Sequence, residues 1–443
     1  MHGLPDKPGG LITQGGLERI IMATALATGR SSFTDWYGEN RRRSAALFDM
    51  LTPEAYVSRP IPLRHPVRFY EGHLPAFSFI TLVRDACGVP SIDGAMEKLF
   101  QRGIDPASAD AASKSAPQQW PDRAAVLALA QRWDAAVRVI LRDADADPAS
   151  VTPRVKEAAY AILEHEPMHH ETLLYMLHRV PLADKHSTFG DSRPQTGGSP
   201  PAKAHIKVPA GRVTLGAQPA RVEFGWDNEF RETTADVPAF EIDKHSVTNA
   251  DYLEFVELGN GEVPPFWLKR DGQWMQLCMF EEVPLPAAWP VYVSQEQATA
   301  YARWRGARLM TEAEFHRAAY GTPEGTERRQ PWGDAPPSAE HGNFGFARFD
   351  PVAAGSYPAG ASAWGVEDLV GNGWEWTSTP FGPFPGFEPM RSYPAYSADF
   401  FDGQHFVVKG ASAVTARELI RRSLRNWYRP NYPYVYAKFR LTY

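Results

Sequence analysis

The segment Glu164-His165-Glu166-Pro167-Met168-His169-His170-Glu171-Thr172-Leu173-Leu174-Tyr175-Met176 decides the reading of the amino-terminal half. His165 and His169 are four residues apart, so on an α-helix they leave one face a turn apart, the spacing of helical metal sites. Ala158, Ile162, Thr172 and Met176 continue the same helical track and are apolar or small, which aims both imidazoles inward. A pair of histidines satisfied within the core is the plainer reading of that spacing. Pro167 either kinks a helix here or starts one. Glu171 sits about 200° around an ideal helix from His169 and does not share a metal with both histidines; a surface or supporting role is expected for it. A zinc-protease reading is not adopted.

A third ligand has to come from elsewhere. His73, in the helix-like piece 69–77, shares an apolar face with Phe77 and Ile80 and is the first choice; His65, in a proline-flanked loop, is the second. Three neutral imidazoles with open positions suit iron(II), copper or zinc.

Outward from this segment, helical periodicity continues over 155–179 and recurs at 17–28, 41–51, 72–83 and 121–143. In the last of these Val126, Leu129, Trp133, Val137 and Ile140 fall three or four residues apart and Asp122 stands near the start as a cap. The simplest packing is a four-helix bundle. Periodicity stops at Pro181, and the Pro-, Gly- and Ser-rich run 191–201 marks a linker. The expected organisation is a bundle over 1–183, a linker over 184–204 and a second domain over 205–443. The second domain reads as short apolar pieces rich in Gly, Pro and Trp, an irregular α+β fold. Helices are expected only at 249–258 and 294–305, the latter capped by Ser294 with Gln297 three residues on.

The chain has 443 residues, and 46 Lys plus Arg against 52 Asp plus Glu give a net charge of -6. No nucleic-acid or anionic-membrane partner is expected from that balance. Cys87 and Cys278 are the only cysteines and are far apart, so neither a disulfide framework nor a CxxC site is expected, and a cytoplasmic location is. No apolar run approaches the roughly 18 residues of a membrane span.

The phrases Arg308-Leu309-Met310-Thr311-Glu312-Ala313-Glu314-Phe315, Pro331-Trp332-Gly333-Asp334, Gly371-Asn372-Gly373-Trp374-Glu375-Trp376-Thr377 and the terminal Lys438-Phe439-Arg440 resemble the formylglycine-generating-enzyme-like, sulfatase-modifying fold, related to C-type lectins. Formylglycine-generating enzymes use a copper-binding cysteine pair in this domain. Around Lys409-Gly410-Ala411-Ser412-Ala413, where one is sought, there is none, which disfavours that activity. A DinB-like bundle carrying His-x3-His-x-Glu ahead of such a domain is similar to the ergothioneine-type (EgtB-like) sulfoxide synthases and the related selenoneine synthases. The segments 164–176, 224–229, 393–397 and 425–427 agree with that narrower match.

The resemblance implies that His73, His165 and His169 hold Fe(II). It also implies that hercynine, a thiol or selenol donor and O2 react to join sulfur or selenium to imidazole C2. By the same resemblance Tyr393 is the first choice of proton donor, with Tyr396 second or a substrate contact. Asn426, Trp427 and Trp376 are expected around hercynine, whose quaternary ammonium favours aromatic faces. The acid-and-base clamp that actinobacterial members use for γ-glutamylcysteine is missing: Tyr428 and Tyr432 stand in its place, and Met168 replaces a Gln. Free cysteine or a selenosugar then becomes the expected donor, with Tyr428, Arg429 and Tyr432 lining its pocket and a lean toward selenium. Two other functions are kept beside this one, a zinc-dependent DinB-like thiol transferase and a noncatalytic lectin-like binding protein.

Overall fold

A computed structural model describes residues 32–101, 120–190 and 192–443; the helix expected at 17–28 lies outside the described residues. Four long helices make the amino-terminal bundle: Phe33–Phe48, Val67–Ser78, Arg123–Ala146 and Pro153–His178. The first begins well before the expected 41–51. The Ser32 hydroxyl caps it by accepting from the Asp35 N–H, and its buried face mixes Trp36 and Tyr37 with Asn40 and Ser44, which masks the apolar period. Val67–Ser78 passes directly into a π-helical stretch, Phe79–Ala86, a widened turn often found at functional sites. Asp122 occupies the N-cap of the Arg123–Ala146 helix without a side-chain bond to it.

Pro167 neither starts nor breaks the Pro153–His178 helix, which runs 26 residues from its Thr152 cap. A proline has no N–H for the carbonyl four residues earlier. That carbonyl, on Leu163, is bonded instead by the buried Asn40 Nδ2 at 2.9 Å. Replacing Asn40 by Ala leaves a buried carbonyl unpaired and is expected to destabilise the protein by about 1–3 kcal/mol. In a Pro167→Ala background the restored N–H takes the carbonyl, so the same Asn40→Ala change should cost less. Urea unfolding of the four proteins in this cycle tests it.

The second half carries short strands in four small sheets. The largest orders Asn426–Tyr428, Phe406–Ala411, Gly373–Pro380 and Ala437–Lys438, antiparallel except for the last pair. The expected helices are present as Asn249–Glu257 and Gln295–Trp304, and the Ser294–Gln297 capping box forms. A third, Glu312–Tyr320, was not expected; Thr311 and Glu314 form its capping box, a signal present in the sequence.

Residues from the two halves share one core cluster. At their junction His178 lies 2.7 Å from the Tyr436 hydroxyl and 3.0 Å from the Leu277 carbonyl. Nearby, Lys185 Nζ donates to the Leu177 carbonyl at 2.7 Å, and Asp350 accepts from the Met279 N–H at 3.1 Å. Burial pushes the Asp350 carboxyl up from 3.8 to about 7. A carboxyl whose folded pKa is raised contributes stability below its unfolded pKa and loses that contribution as pH rises through the folded value. Asp350→Asn should therefore remove a loss of up to about 4 kcal/mol between pH 4 and 8, read as a flatter profile of unfolding free energy against pH. Lys185, pushed down to about 7 by burial, acts in the opposite sense, losing its contribution as pH falls through 7.

Candidate metal centre

Two helices supply three imidazoles. His169 Nε2 lies 3.0 Å from His165 Nε2 and 3.3 Å from His73 Nε2, and one ring nitrogen from each lies within 4.8 Å of the others. His73 Nδ1 is 2.7 Å from the Phe100 carbonyl. A carbonyl accepts only, so Nδ1 carries the proton and Nε2 presents a lone pair, the usual way a backbone acceptor orients a ligating histidine. Burial pushes His73 down to about 4 and holds His165 and His169 well below the usual histidine range, neighbouring histidines adding to the effect on both. With His165 and His169 in the same Nδ1–H form as His73, three Nε2 lone pairs converge and repel one another. A cation among them removes that repulsion, so the donor set fits a metal ion.

Aromatic rings fix the ring planes. Phe77 stacks on His165 with ring centres 3.6 Å apart, and Phe69 stacks on His73 at 5.1 Å. His65, the second choice for the third ligand, stacks on Phe69 at 4.0 Å and stays outside the nitrogen cluster. The string His165-Glu166-Pro167-Met168-His169 has the spelling of a zinc peptidase, in which the glutamate serves as base. Here the buried Glu166 accepts from Arg41 at 2.7 Å and Ser44 at 2.5 Å, and Ser44 also reaches His170 at 2.8 Å. Opposed by burial, the Arg41 guanidinium, the nearby His170 ring and the Ser44 bond hold its carboxyl down at about 2, a fixed anion rather than a base.

Glu171 is not at the surface. It is buried between the halves and accepts from Trp374 Nε1 at 2.7 Å, Ser412 Oγ at 2.5 Å, Thr415 Oγ1 at 2.8 Å and the Tyr175 hydroxyl. Ser412 lies in the segment where a copper-binding cysteine was sought, and its hydroxyl ties that loop to the histidine helix. Glu164, one residue before His165, is bonded by Arg421 of the second half. Neither contact was expected from sequence; the signal available was acidic residues on a helix that is otherwise buried.

The second half lays an aromatic face beside the triad. The Tyr393 ring centre is 5.2 Å from Phe77 and 6.2 Å from His165. Tyr396 lies 5.8 Å from Tyr393, stacks on Trp226 at 4.1 Å and directs its hydroxyl to Met168 Sδ at 3.9 Å. Trp427 sits 5.4 Å from Tyr396 and stacks on Phe381 at 4.1 Å. Asn426 Nδ2 donates to the Tyr428 hydroxyl at 3.3 Å, Tyr428 stacks on Tyr432 at 5.2 Å, and Arg64 Nη2 of the bundle donates to the Tyr432 hydroxyl at 3.2 Å. Met168, His169, Asn426, Trp427 and Tyr428 are all half-buried, so this side of the triad meets solvent. Two further expected residues differ in burial. Trp376 is fully buried with its indole N–H donated to the Val293 carbonyl, and Arg429 is exposed.

Comparison with known proteins agrees with this architecture. The DinB superfamily matches residues 37–173, and the family described as sulfatase-modifying factor enzyme 1-like domain matches residues 189–442. The "Hercynine oxygenase" of Mycolicibacterium smegmatis is 36% identical over 309 residues, covering 64% of this chain and 70% of that one. The protein of the same name from Mycolicibacterium thermoresistibile is 35% identical over 309 residues, with 64% and 68% covered. "Ergothioneine biosynthesis protein 1" of Neurospora crassa is 28% identical over 491 residues, with 88% of this chain and 55% of that longer one covered. Joined in one polypeptide with a helical triad at their junction, the two matched domains make this chain a member of the ergothioneine-type sulfoxide synthase family.

Proposed function

We propose that the chain is an O2-dependent nonheme iron(II) enzyme that joins sulfur or selenium to the imidazole C2 of hercynine. The observation that carries this reading is the convergence of the three Nε2 atoms of His73, His165 and His169 beneath the face formed by Tyr393, Tyr396 and Trp427. The iron, held by three neutral nitrogens, would supply O2 activation and leave positions for the substrates. Its being iron, rather than copper or zinc, rests on the family. With a thiol donor the atoms balance without an outside reductant: the imidazole C–H, the S–H and O2 give the S–C bond, the sulfoxide oxygen and one water.

The chain's own residues bind and orient. Trp427 and Tyr396 offer ring faces to a quaternary ammonium that cannot donate a hydrogen bond, and Asn426 offers an amide beside them. Burial holds the Tyr396 hydroxyl protonated, well above its usual range. Tyr393, the ring nearer His165, is the proton donor, and Met168 lies against Tyr396 at the floor of the hercynine site. Tyr428 and Tyr432 present uncharged hydroxyls where a dipeptide clamp would need an acid and a base, which suits free cysteine or a hydroxyl-rich selenosugar and leans toward the latter. Among the described residues no helix is long and apolar enough to cross a membrane. The proposed substrates are small molecules and the proposed compartment is the cytoplasm.

The test is anaerobic loading with Fe(II), hercynine and each donor in turn, followed by air and mass spectrometry. A C2-substituted product from one donor is expected. No oxygen uptake with any donor would overturn the reading.

A further inference from the structure

One guanidinium spans the junction beside the triad. Arg421 bonds Glu164 through Nη1 at 2.7 Å and Nη2 at 2.9 Å, and it bonds Glu229 through Nε at 2.8 Å and through Nη2. Glu164 immediately precedes His165 on the histidine helix. The Glu229 carboxylate is itself fixed, accepting from the Trp226 N–H at 2.9 Å and the Ser423 hydroxyl at 2.7 Å. Trp226 is the ring on which Tyr396 stacks, and Asp227, the next residue, accepts from the Ser397 hydroxyl at 2.5 Å, one position past Tyr396. Charge-assisted bonds thus run from the residue beside a metal ligand to the Trp226 backbone, and the Trp226–Tyr396 stack and the Ser397–Asp227 bond carry the link to both sides of Tyr396.

We infer that Arg421 is a positioning residue that sets the Tyr393–Ser397 face at a fixed distance and angle over the histidine helix. The inference rests on the proposed reaction only for its kinetic consequence. A planar fork engaging two carboxylates at once defines orientation as well as separation, whereas a lysine in the same place holds charge without direction. Displacing a substrate-facing ring by about 1 Å suffices to lower turnover by up to two orders of magnitude. An ion pair that merely stabilised the junction would change stability and leave the turnover of the folded protein alone.

The experiment compares the full chain with Arg421→Lys and with the triple variant Glu164→Gln, Arg421→Met, Glu229→Gln, which removes the fork without stranding two buried anions. Each protein is loaded with Fe(II), assayed for iron per chain, and studied by 19F NMR with 3-fluorotyrosine at position 396. Arg421→Lys is expected to keep its iron, to lower kcat about 30-fold, to raise KM for hercynine severalfold because Tyr396 faces the ammonium, and to broaden or split the fluorine line relative to the parent. The triple variant should share the kcat and fluorine defects while unfolding close to the parent temperature. A kcat within about twofold of the parent with an unchanged fluorine line would overturn the inference, as would loss of activity in proportion to lost iron or failure of both variants to fold. If the parent does not consume hercynine, the proposed activity falls, and the fluorine line still decides the role of Arg421.

Discussion

Removal of the His73 imidazole is expected to abolish stoichiometric metal binding and to lower turnover by at least about a thousandfold, about 4 kcal/mol of activation free energy. His165 and His169 share one helix, so they hold an ion from one side only. His73 alone comes from the Val67–Ser78 helix and closes the set. Its ring is held by the Phe100 carbonyl and by stacking on Phe69, so its Nε2 is oriented before any ion arrives. Two histidines without it form an open, weak site. His73→Ala assayed by metal analysis and oxygen uptake checks this, with His65→Ala as the control. His65 lies outside the nitrogen cluster and its removal should leave the metal content near one per chain. Added imidazole, entering the cavity left by His73→Ala, should restore part of the bound metal. A His73→Ala protein with full metal content would end the three-histidine account.

Much of this centre was legible because it rests on short-range geometry. The four-residue spacing of His165 and His169 fixes a shared helix face whatever the rest of the fold does, and the apolar neighbours of His73 turn it inward. What the sequence did not reveal depends on contacts between residues far apart in the chain. Asn40 sits in the buried face of a helix because Pro167, more than a hundred residues later, leaves a carbonyl for it, and no local pattern records that pairing. Glu171 reads as a surface or supporting carboxylate from its place on the helical wheel, and only the second half, which covers that side of the helix, decides between the two. Trp376 and Trp374 alternate with Glu375 in one strand and look equivalent. Only the packing decides that one indole meets the Val293 carbonyl and the other meets Glu171. The Glu312–Tyr320 helix is a different case, since its Thr311–Glu314 capping box was in plain view.

Glu171→Ala is expected to destabilise the protein by about 2–4 kcal/mol, because it takes a shared acceptor from four buried neutral donors. Four donors meet this one carboxylate, and three of them, Trp374, Ser412 and Thr415, belong to the second half. Alanine leaves an indole N–H and three hydroxyls to find partners in a dry junction, and each unpaired donor costs about 1–3 kcal/mol unless it rotates to another acceptor. The hydroxyls of Ser412 and Thr415 already lie 3.2 Å apart and can pair with each other, but the Trp374 N–H has no freedom to turn. Glu171→Gln keeps one acceptor oxygen for that N–H and should cost less than the alanine change. Because the donors act on a shared acceptor, Ser412→Ala should cost about 1 kcal/mol in the parent and much less once Glu171 is Ala, a coupling that a double-mutant cycle in urea measures directly. The metal helix and the aromatic face then come apart more readily at a point two residues beyond His169, so Glu171→Ala should also lose its bound metal at a lower urea concentration than the parent. A cost under about 1 kcal/mol with no coupling to Ser412 would mean that the halves are held by apolar packing alone.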